Sequence, residues 1–144
     1  MLKKFVVSLT FLMFAVFNIC YSAEIVGIGD KCMDVEGGGS ADGTSVILWS
    51  CHGKTNQRWE ISDGVIKGIG GKCLDVKGGG SDNGTSIILW PCHGKANQRW
   101  EISDGAIKGI GGKCLDVKGG GSANGTSIVL WPCHGQENQR WIIK

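Results

Sequence analysis

The sequence predicts an all-β domain made of three tandem copies of one four-stranded unit. Cys32, Cys73 and Cys114 are spaced 41 residues apart, and so are Cys51, Cys92 and Cys133. The same step separates Trp59, Trp100 and Trp141, each of which closes the tetrapeptide NQRW. Between these markers run short aliphatic stretches bounded by Gly, Asn, Asp and Ser, and no window has a helical period with caps. A fixed period of about 40 residues with strand-like content marks a repeat architecture.

The chain opens with a basic head, Met1 to Lys4, and an apolar run from Phe5 to Ile19. Cys20 and Ser22 then supply small residues at the minus-three and minus-one places of a cut before Ala23, the layout of a secretory signal peptide. The run is shorter than the ~20 residues a transmembrane helix needs, so no membrane span is expected. Ile19 is bulkier than the residue that usually precedes a lipid-modified Cys, which disfavours a lipoprotein anchor at Cys20. Residues 1–22 are therefore set apart from a domain over 23–144, with repeats at about 24–63, 64–104 and 105–144.

Removing residues 1–22 takes Lys3 and Lys4 and no acid, leaving 15 − 2 = 13 basic residues against 13 acidic ones. A nucleic-acid surface would show clustered excess Lys and Arg, and this balance excludes it. All four Phe and the single Tyr also lie in that segment, so every aromatic ring of the domain belongs to one of six Trp.

In the second repeat the strands are expected at Val65–Ile69, Lys72–Val76, Thr85–Trp90 and Gln98–Ile102. Asn83-Gly84 and Ser103-Asp104-Gly105 read as hairpin turns, because Asn, Asp and Gly accept positive φ. The Gly triplets beginning at Gly37, Gly78 and Gly119 fall in the loop after the second strand, at positions expected to exclude bulk; a phosphate-cradling loop would instead need a strand-to-helix junction. Side chains alternate along a strand, so Ile87 and Leu89 share one face while Ile88 and Trp90 share the other. If the first pair faces the core, Trp90 points outward, and Trp100 flanks the apolar end of the unit. Both rings of each repeat being packed is the competing arrangement.

Six Cys remain in the domain, two per repeat with 18 residues between them. In an exported domain disulfides are the default. Of the 15 connectivities open to six Cys, the repetition favours the one in which each repeat closes itself: Cys32–Cys51, Cys73–Cys92 and Cys114–Cys133. His52, His93 and His134 each follow a Cys directly. The close pairs of ligands usual in zinc sites are missing, so these His are read as loop residues, and no metal or other cofactor is expected.

The three NQRW tetrapeptides resemble the Q-x-W signature of the ricin B-chain-like lectins. The resemblance runs from about Glu24 to Lys144 and includes C-[LM]-D-V, an N-G or D-G turn, an LW pair and a second Cys in every copy. It implies a β-trefoil, in which twelve strands form a six-stranded barrel closed by three hairpins. It also implies a shallow sugar pocket in each repeat, for galactose or N-acetylgalactosamine in most of the family. Carried over by position, the first site is Asp34, Trp49 and Asn56 with Gln57. The second is Asp75, Trp90 and Asn97 with Gln98, and the third is Asp116, Trp131 and Asn138 with Gln139. The carboxylate accepts hydroxyl protons, the indole face covers the apolar side of a pyranose, and the Gln holds the Asp. Trp59, Trp100 and Trp141 become core members. Some family pockets carry Gln two residues before the stacking ring, where this chain has Ile47, Ile88 and Val129; the preferred sugar and linkage stay open.

The second and third repeats differ at only 7 of 40 aligned positions, and of these only Ile88/Val129 touches a proposed site. An active site needs an asymmetric set of groups, whereas every Asp, His and Ser candidate here recurs in threes, so no enzymatic activity is expected. The chain ends at Lys144 without an attached catalytic domain, which leaves a free-standing secreted lectin that binds glycans. Its alternatives are the glycan-targeting subunit of a toxin or enzyme complex with a separate catalytic partner, and a trefoil used for protein contact such as protease inhibition. Asn83-Gly-Thr85 and Asn124-Gly-Thr126 also match the N-glycosylation sequon.

Overall fold

Twelve short strands account for the regular structure of the computed structural model, which describes residues 4–13 and 21–144. The first repeat contributes β1 (Ile25–Gly27), β2 (Lys31–Val35), β3 (Val46–Trp49) and β4 (Glu60–Ser62). The second contributes β5 (Val65–Lys67), β6 (Cys73–Val76), β7 (Ile87–Trp90) and β8 (Glu101–Ser103). The third contributes β9 (Ala106–Lys108), β10 (Cys114–Val117), β11 (Ile128–Trp131) and β12 (Ile142–Ile143). Residues 1–3 and 14–20 of the expected signal segment, Cys20 among them, lie outside the described residues. Residues 4–13 carry no regular secondary structure. Among the described residues no helix is long and apolar enough to cross a membrane.

The sheets do not follow the sequence repeats. They group as β12-β1-β2-β3, β4-β5-β6-β7 and β8-β9-β10-β11, so each takes its first strand from the preceding repeat. The link is a tight hairpin whose turn residues, Asp63-Gly64 and Asp104-Gly105, all have positive φ. The third such pairing, β12 with β1, joins the two ends of the domain, and Glu24 and Lys144 exchange both backbone hydrogen bonds. Ala23 pairs with Trp59, while the Trp100 and Trp141 amides donate to the carbonyls of Gly64 and Gly105. These contacts close β1, β4, β5, β8, β9 and β12 into a six-stranded barrel. The hairpins β2–β3, β6–β7 and β10–β11 meet around the pseudo-threefold axis through bridges Ser45–Ile88, Ser86–Val129 and Ile47–Ser127. This is a β-trefoil with one disulfide per repeat, Cys32–Cys51, Cys73–Cys92 and Cys114–Cys133.

The core is built from triplets, one member per repeat. Ile25, Ile66 and Ile107 form one set, Leu48, Leu89 and Leu130 another, and Trp59, Trp100 and Trp141 a third, all at 6% exposure or less. Each Trp donates its Nε1–H to a carbonyl of the hairpin in its own repeat, at 3.1 Å to Met33, 3.0 Å to Leu74 and 3.2 Å to Leu115. Its six-membered ring lies flat against a Gly of the next unit: Trp59 on Gly68, Trp100 on Gly109 and Trp141 on Gly27. A Cβ on these glycines would come within 2.5–2.7 Å of the ring. The seam between repeats is therefore an indole laid on bare backbone. A second link runs from the Lys ahead of each hairpin, whose ammonium donates to the previous repeat: Lys31 to Ser122, Lys72 to Ser40 and Lys113 to Ser81.

Two expectations are corrected. The fourth strand does not begin at Gln98; Ala96–Gln98 is a 3-10 turn and β8 starts at Glu101. An extended chain would send Asn97 and Gln98 to opposite faces, whereas the turn lets both point into the hairpin, where both are buried. The Gly triplets are also not a matter of bulk. A Cβ at Gly37 would meet nothing within 4 Å, but Gly37 and Gly38 both sit at φ +72, where other residues are disfavoured.

Candidate functional site

Each β-hairpin has a core face and an outer face, fixed by register. Cys32 pairs with Trp49 and Asp34 with Ile47, so these four side chains share the outer face, while Met33, Val35, Val46 and Leu48 face the core. The pairs Cys73–Trp90 and Asp75–Ile88, and Cys114–Trp131 and Asp116–Val129, repeat the arrangement. The outer face of each hairpin and the turn carrying the NQ dipeptide enclose a shallow open pocket of about 430–470 Å³. Asp34, Trp49 and Asn56 line the first, Asp75, Trp90 and Asn97 the second, and Asp116, Trp131 and Asn138 the third.

At the floor lies a carboxylate almost removed from solvent, with Asp34, Asp75 and Asp116 at 2–4% exposure. Gln57 Nε2 donates to Asp34 Oδ2 at 2.7 Å, and Gln98 and Gln139 do the same to Asp75 and Asp116 at 2.8 Å. The other amide proton of each Gln goes to the carbonyl of Ser50, Pro91 or Pro132, and the Gln oxygen accepts the backbone N–H of His52, His93 or His134, five residues earlier. The Gln side chains are wholly buried behind the pocket and clamp the Asp from below. Among the described residues every side-chain bond to these carboxylates ends on Oδ2. Oδ1 is left as an acceptor for whatever enters.

The three His belong to the pockets, beyond their expected role as loop residues. His52, His93 and His134 line them, with Nε2 at 3.4–3.5 Å from Oδ2 of the Asp. The backbone N–H two residues on donates to Nδ1, at 3.1 Å from Lys54, 3.0 Å from Lys95 and 3.1 Å from Gln136. A neutral ring that accepts at Nδ1 carries its proton on Nε2, the nitrogen nearer the carboxylate. The backbone thus occupies Nδ1 of each ring, which is not free to act as a base. The recurrence of Cys-His-Gly with its His eighteen residues after each Asp was the available signal for this role, and only the fold shows that the ring turns back toward the Asp. Metal is no better served. Among the described residues the one cluster of potential donor atoms is Glu24 with Cys32 and Cys51, whose sulfurs are joined to each other.

The pocket wall is the face of a half-exposed indole, with Trp49 and Trp90 at 41% exposure and Trp131 at 42%. Ile47, Ile88 and Val129 lie beside it at 4–5%. Each of these rings lies near the turn glycine of a different repeat, Gly125 for Trp49, Gly43 for Trp90 and Gly84 for Trp131, and Gly43 and Gly84 line the second and third pockets. Asn56, Asn97 and Asn138 donate Nδ2 to the carbonyls of Val35, Val76 and Val117 at 3.2 Å. Asn56 alone also reaches its Asp, at 3.1 Å. An apolar plane beside a fixed carboxylate and an amide can hold a ring that is apolar on one side and hydroxylated at its edge.

Comparison with known proteins bears on the fold. The family model for the ricin-type beta-trefoil lectin domain covers residues 21–141. A designed threefold-symmetric protein, ThreeFoil, is 30% identical with a TM-score of 0.75, over 85% of this chain and 96% of its own. A non-toxic homologue of type II RIPs from Momordica charantia (bitter gourd), solved in complex with α-methyl-D-galactoside, is 25% identical with a TM-score of 0.76, over 85% of this chain and 47% of its own. A curated relative, a probable lipoprotein, EnvE, of Salmonella typhimurium, is 51% identical over 39 residues. That match spans 27% of this chain and 22% of the relative's length.

Proposed function

Since the chain belongs to the ricin-type β-trefoil lectin family, a family of carbohydrate-binding domains, we propose that it is an exported multivalent lectin with a sugar site in each repeat. The observation that carries the reading is the threefold recurrence of one arrangement: an Asp clamped through Oδ2, a half-exposed Trp and an Asn in an open pocket. In each pocket the sugar's C–H face lies on Trp49, Trp90 or Trp131. Two adjacent hydroxyls share Asp34, Asp75 or Asp116 with Asn56, Asn97 or Asn138. Gln57, Gln98 and Gln139 act beneath, fixing the Asp. Galactose or N-acetylgalactosamine is the expected class, in keeping with the galactoside bound by the bitter gourd protein.

Single sites of this openness bind weakly, and a millimolar constant corresponds to about 4 kcal/mol. Three sites engaging one clustered glycan gain avidity by about 10²-fold or more where the spacing fits. Export follows from the leader-like residues 1–22 and from three disulfides in a small domain, which need an oxidising compartment. The relative named a probable lipoprotein fits a place outside the cytoplasm. The test is a glycan array probed with the oxidised protein and with the Asp34→Asn/Asp75→Asn/Asp116→Asn triple variant. Terminal galactose or N-acetylgalactosamine signals that vanish in the folded triple variant support the assignment. A blank array with folded wild type sinks it.

A further inference from the structure

The three pockets share Asp, Trp, His and Asn but differ in charge at two equivalent lining positions. One follows the second strand of each repeat and is Glu36, Lys77 or Lys118; the other follows the His by two and is Lys54, Lys95 or Gln136. Both positions are pinned by backbone. The amides of Glu36, Lys77 and Lys118 donate to Ser45, Ser86 and Ser127 at 3.0–3.1 Å, and those of Lys54, Lys95 and Gln136 donate to the His rings. Different charges are thus held at matching places on three rims. With the Asp included, the formal charge is −1 − 1 + 1 = −1 for the first pocket, −1 + 1 + 1 = +1 for the second and −1 + 1 = 0 for the third. Glu36, Lys54, Lys77, Lys95 and Lys118 are all exposed, and among the described residues none forms an ion pair.

We propose that the second pocket selects an anionic glycan, one whose neutral ring sits on Trp90 and Asp75 and whose neighbouring carboxylate or sulfate meets Lys77 and Lys95, whereas the first pocket selects neutral glycans. This rests on the sugar-binding reading above. The Asp75 charge has its counterpart in Asp34 and Asp116, so the contrast between pockets comes from the two rim positions alone. The Lys stems are long enough to follow an anion beyond the rim, and an ammonium serves as a point charge for a carboxylate or a sulfate alike. One unit charge at roughly 6 Å in a water-like dielectric changes affinity about threefold. The first and second pockets differ by two units, so their acidic-to-neutral preferences should differ by about tenfold at low salt and less as salt screens the contact.

The experiment uses the full oxidised protein with two pockets silenced by Asp→Asn, leaving the second (Asp34→Asn/Asp116→Asn) or the first (Asp75→Asn/Asp116→Asn). Each is titrated with lactose, sialyllactose and sulfated lactose at low and high salt. The second pocket should favour the acidic ligands over lactose by severalfold, with the preference falling in high salt. Lys77→Glu in that background should lower the acidic-to-neutral ratio by about tenfold, and Glu36→Lys in the first-pocket protein should raise it similarly. Preference for only one acidic ligand supports the proposal and says whether carboxylate or sulfate is the anion. Lactose binding with equal or weaker acidic binding in the second pocket overturns the proposal and leaves the lectin reading standing. No binding of any sugar by folded protein removes both.

Discussion

Replacing Gly109 by Ala tests whether the repeats are held together by indole against bare backbone. The new Cβ would lie 2.5 Å from Trp100 Cζ3 and 2.8 Å from Cε3, so the ring must retreat by about 1 Å to reach ordinary carbon contact. It has little room to do so, being 6% exposed and tied through Nε1 to Leu74 O at 3.0 Å. Overpacking of this kind costs about 1–3 kcal/mol, and a broken Nε1 bond adds about 1 kcal/mol. Against that, Ala restricts the unfolded chain and returns about 0.4–1 kcal/mol. The net loss should be about 1–3 kcal/mol, or on the order of 4–12 °C in Tm for a domain of this size. Gly80→Ala is the control, since its φ is −85 and a Cβ there meets nothing within 4 Å; it should be neutral or slightly stabilising. Thermal and urea unfolding of both oxidised variants decides the matter. Equal Tm values for Gly109→Ala and Gly80→Ala would refute the packed seam.

The two Trp of each repeat should separate cleanly under mutation. Trp100→Ala removes a buried ring and should destabilise by about 3–5 kcal/mol, read by urea denaturation. Trp90→Ala, on a half-exposed ring, should leave Tm within a few degrees and weaken the second site by about 0.5–1.5 kcal/mol, read by titration of a protein with the other two sites silenced. Gln98→Ala strips partners from buried Asp75 and from the His93 amide; it should destabilise by about 2–4 kcal/mol and weaken the second site although Gln98 does not line the pocket. Replacing Cys73 and Cys92 by Ser should cost about 2–5 kcal/mol, again by urea titration, and the other two disulfides should still form.

The repeat, the strands and the paired Cys are legible in the sequence because each rests on a local rule: period, alternation and turn chemistry. The inward and outward Trp are legible for the same reason, since Leu89 fixes Trp90 on the opposite face. What escapes is whatever depends on the chain folding back. His93 looks like a loop residue until the 3-10 turn at Ala96–Gln98 and the disulfide bring its ring to Asp75. That same turn takes in Gln98, which reads as the start of a strand, although only a tight turn points both Asn97 and Gln98 inward. Gly27, Gly68 and Gly109 carry no sequence signal of the indole above them, as the partner ring sits in another repeat. The unequal pocket charges were visible as letters at positions 36, 77 and 118, but nothing before the fold ties those positions to the Asp.

The most direct test of the central claim is a titration of the uniformly ¹⁵N-labelled oxidised protein with galactose, following its six Trp indole N–H signals. The indoles of Trp49, Trp90 and Trp131 should shift with sugar, while those of Trp59, Trp100 and Trp141, bonded to core carbonyls, should stay still. Each Asp→Asn substitution at 34, 75 or 116 should silence one responding signal and spare the other two. If no pocket indole moves at saturating galactose or N-acetylgalactosamine, or if the core indoles move instead, the three pockets are not the sugar sites described above.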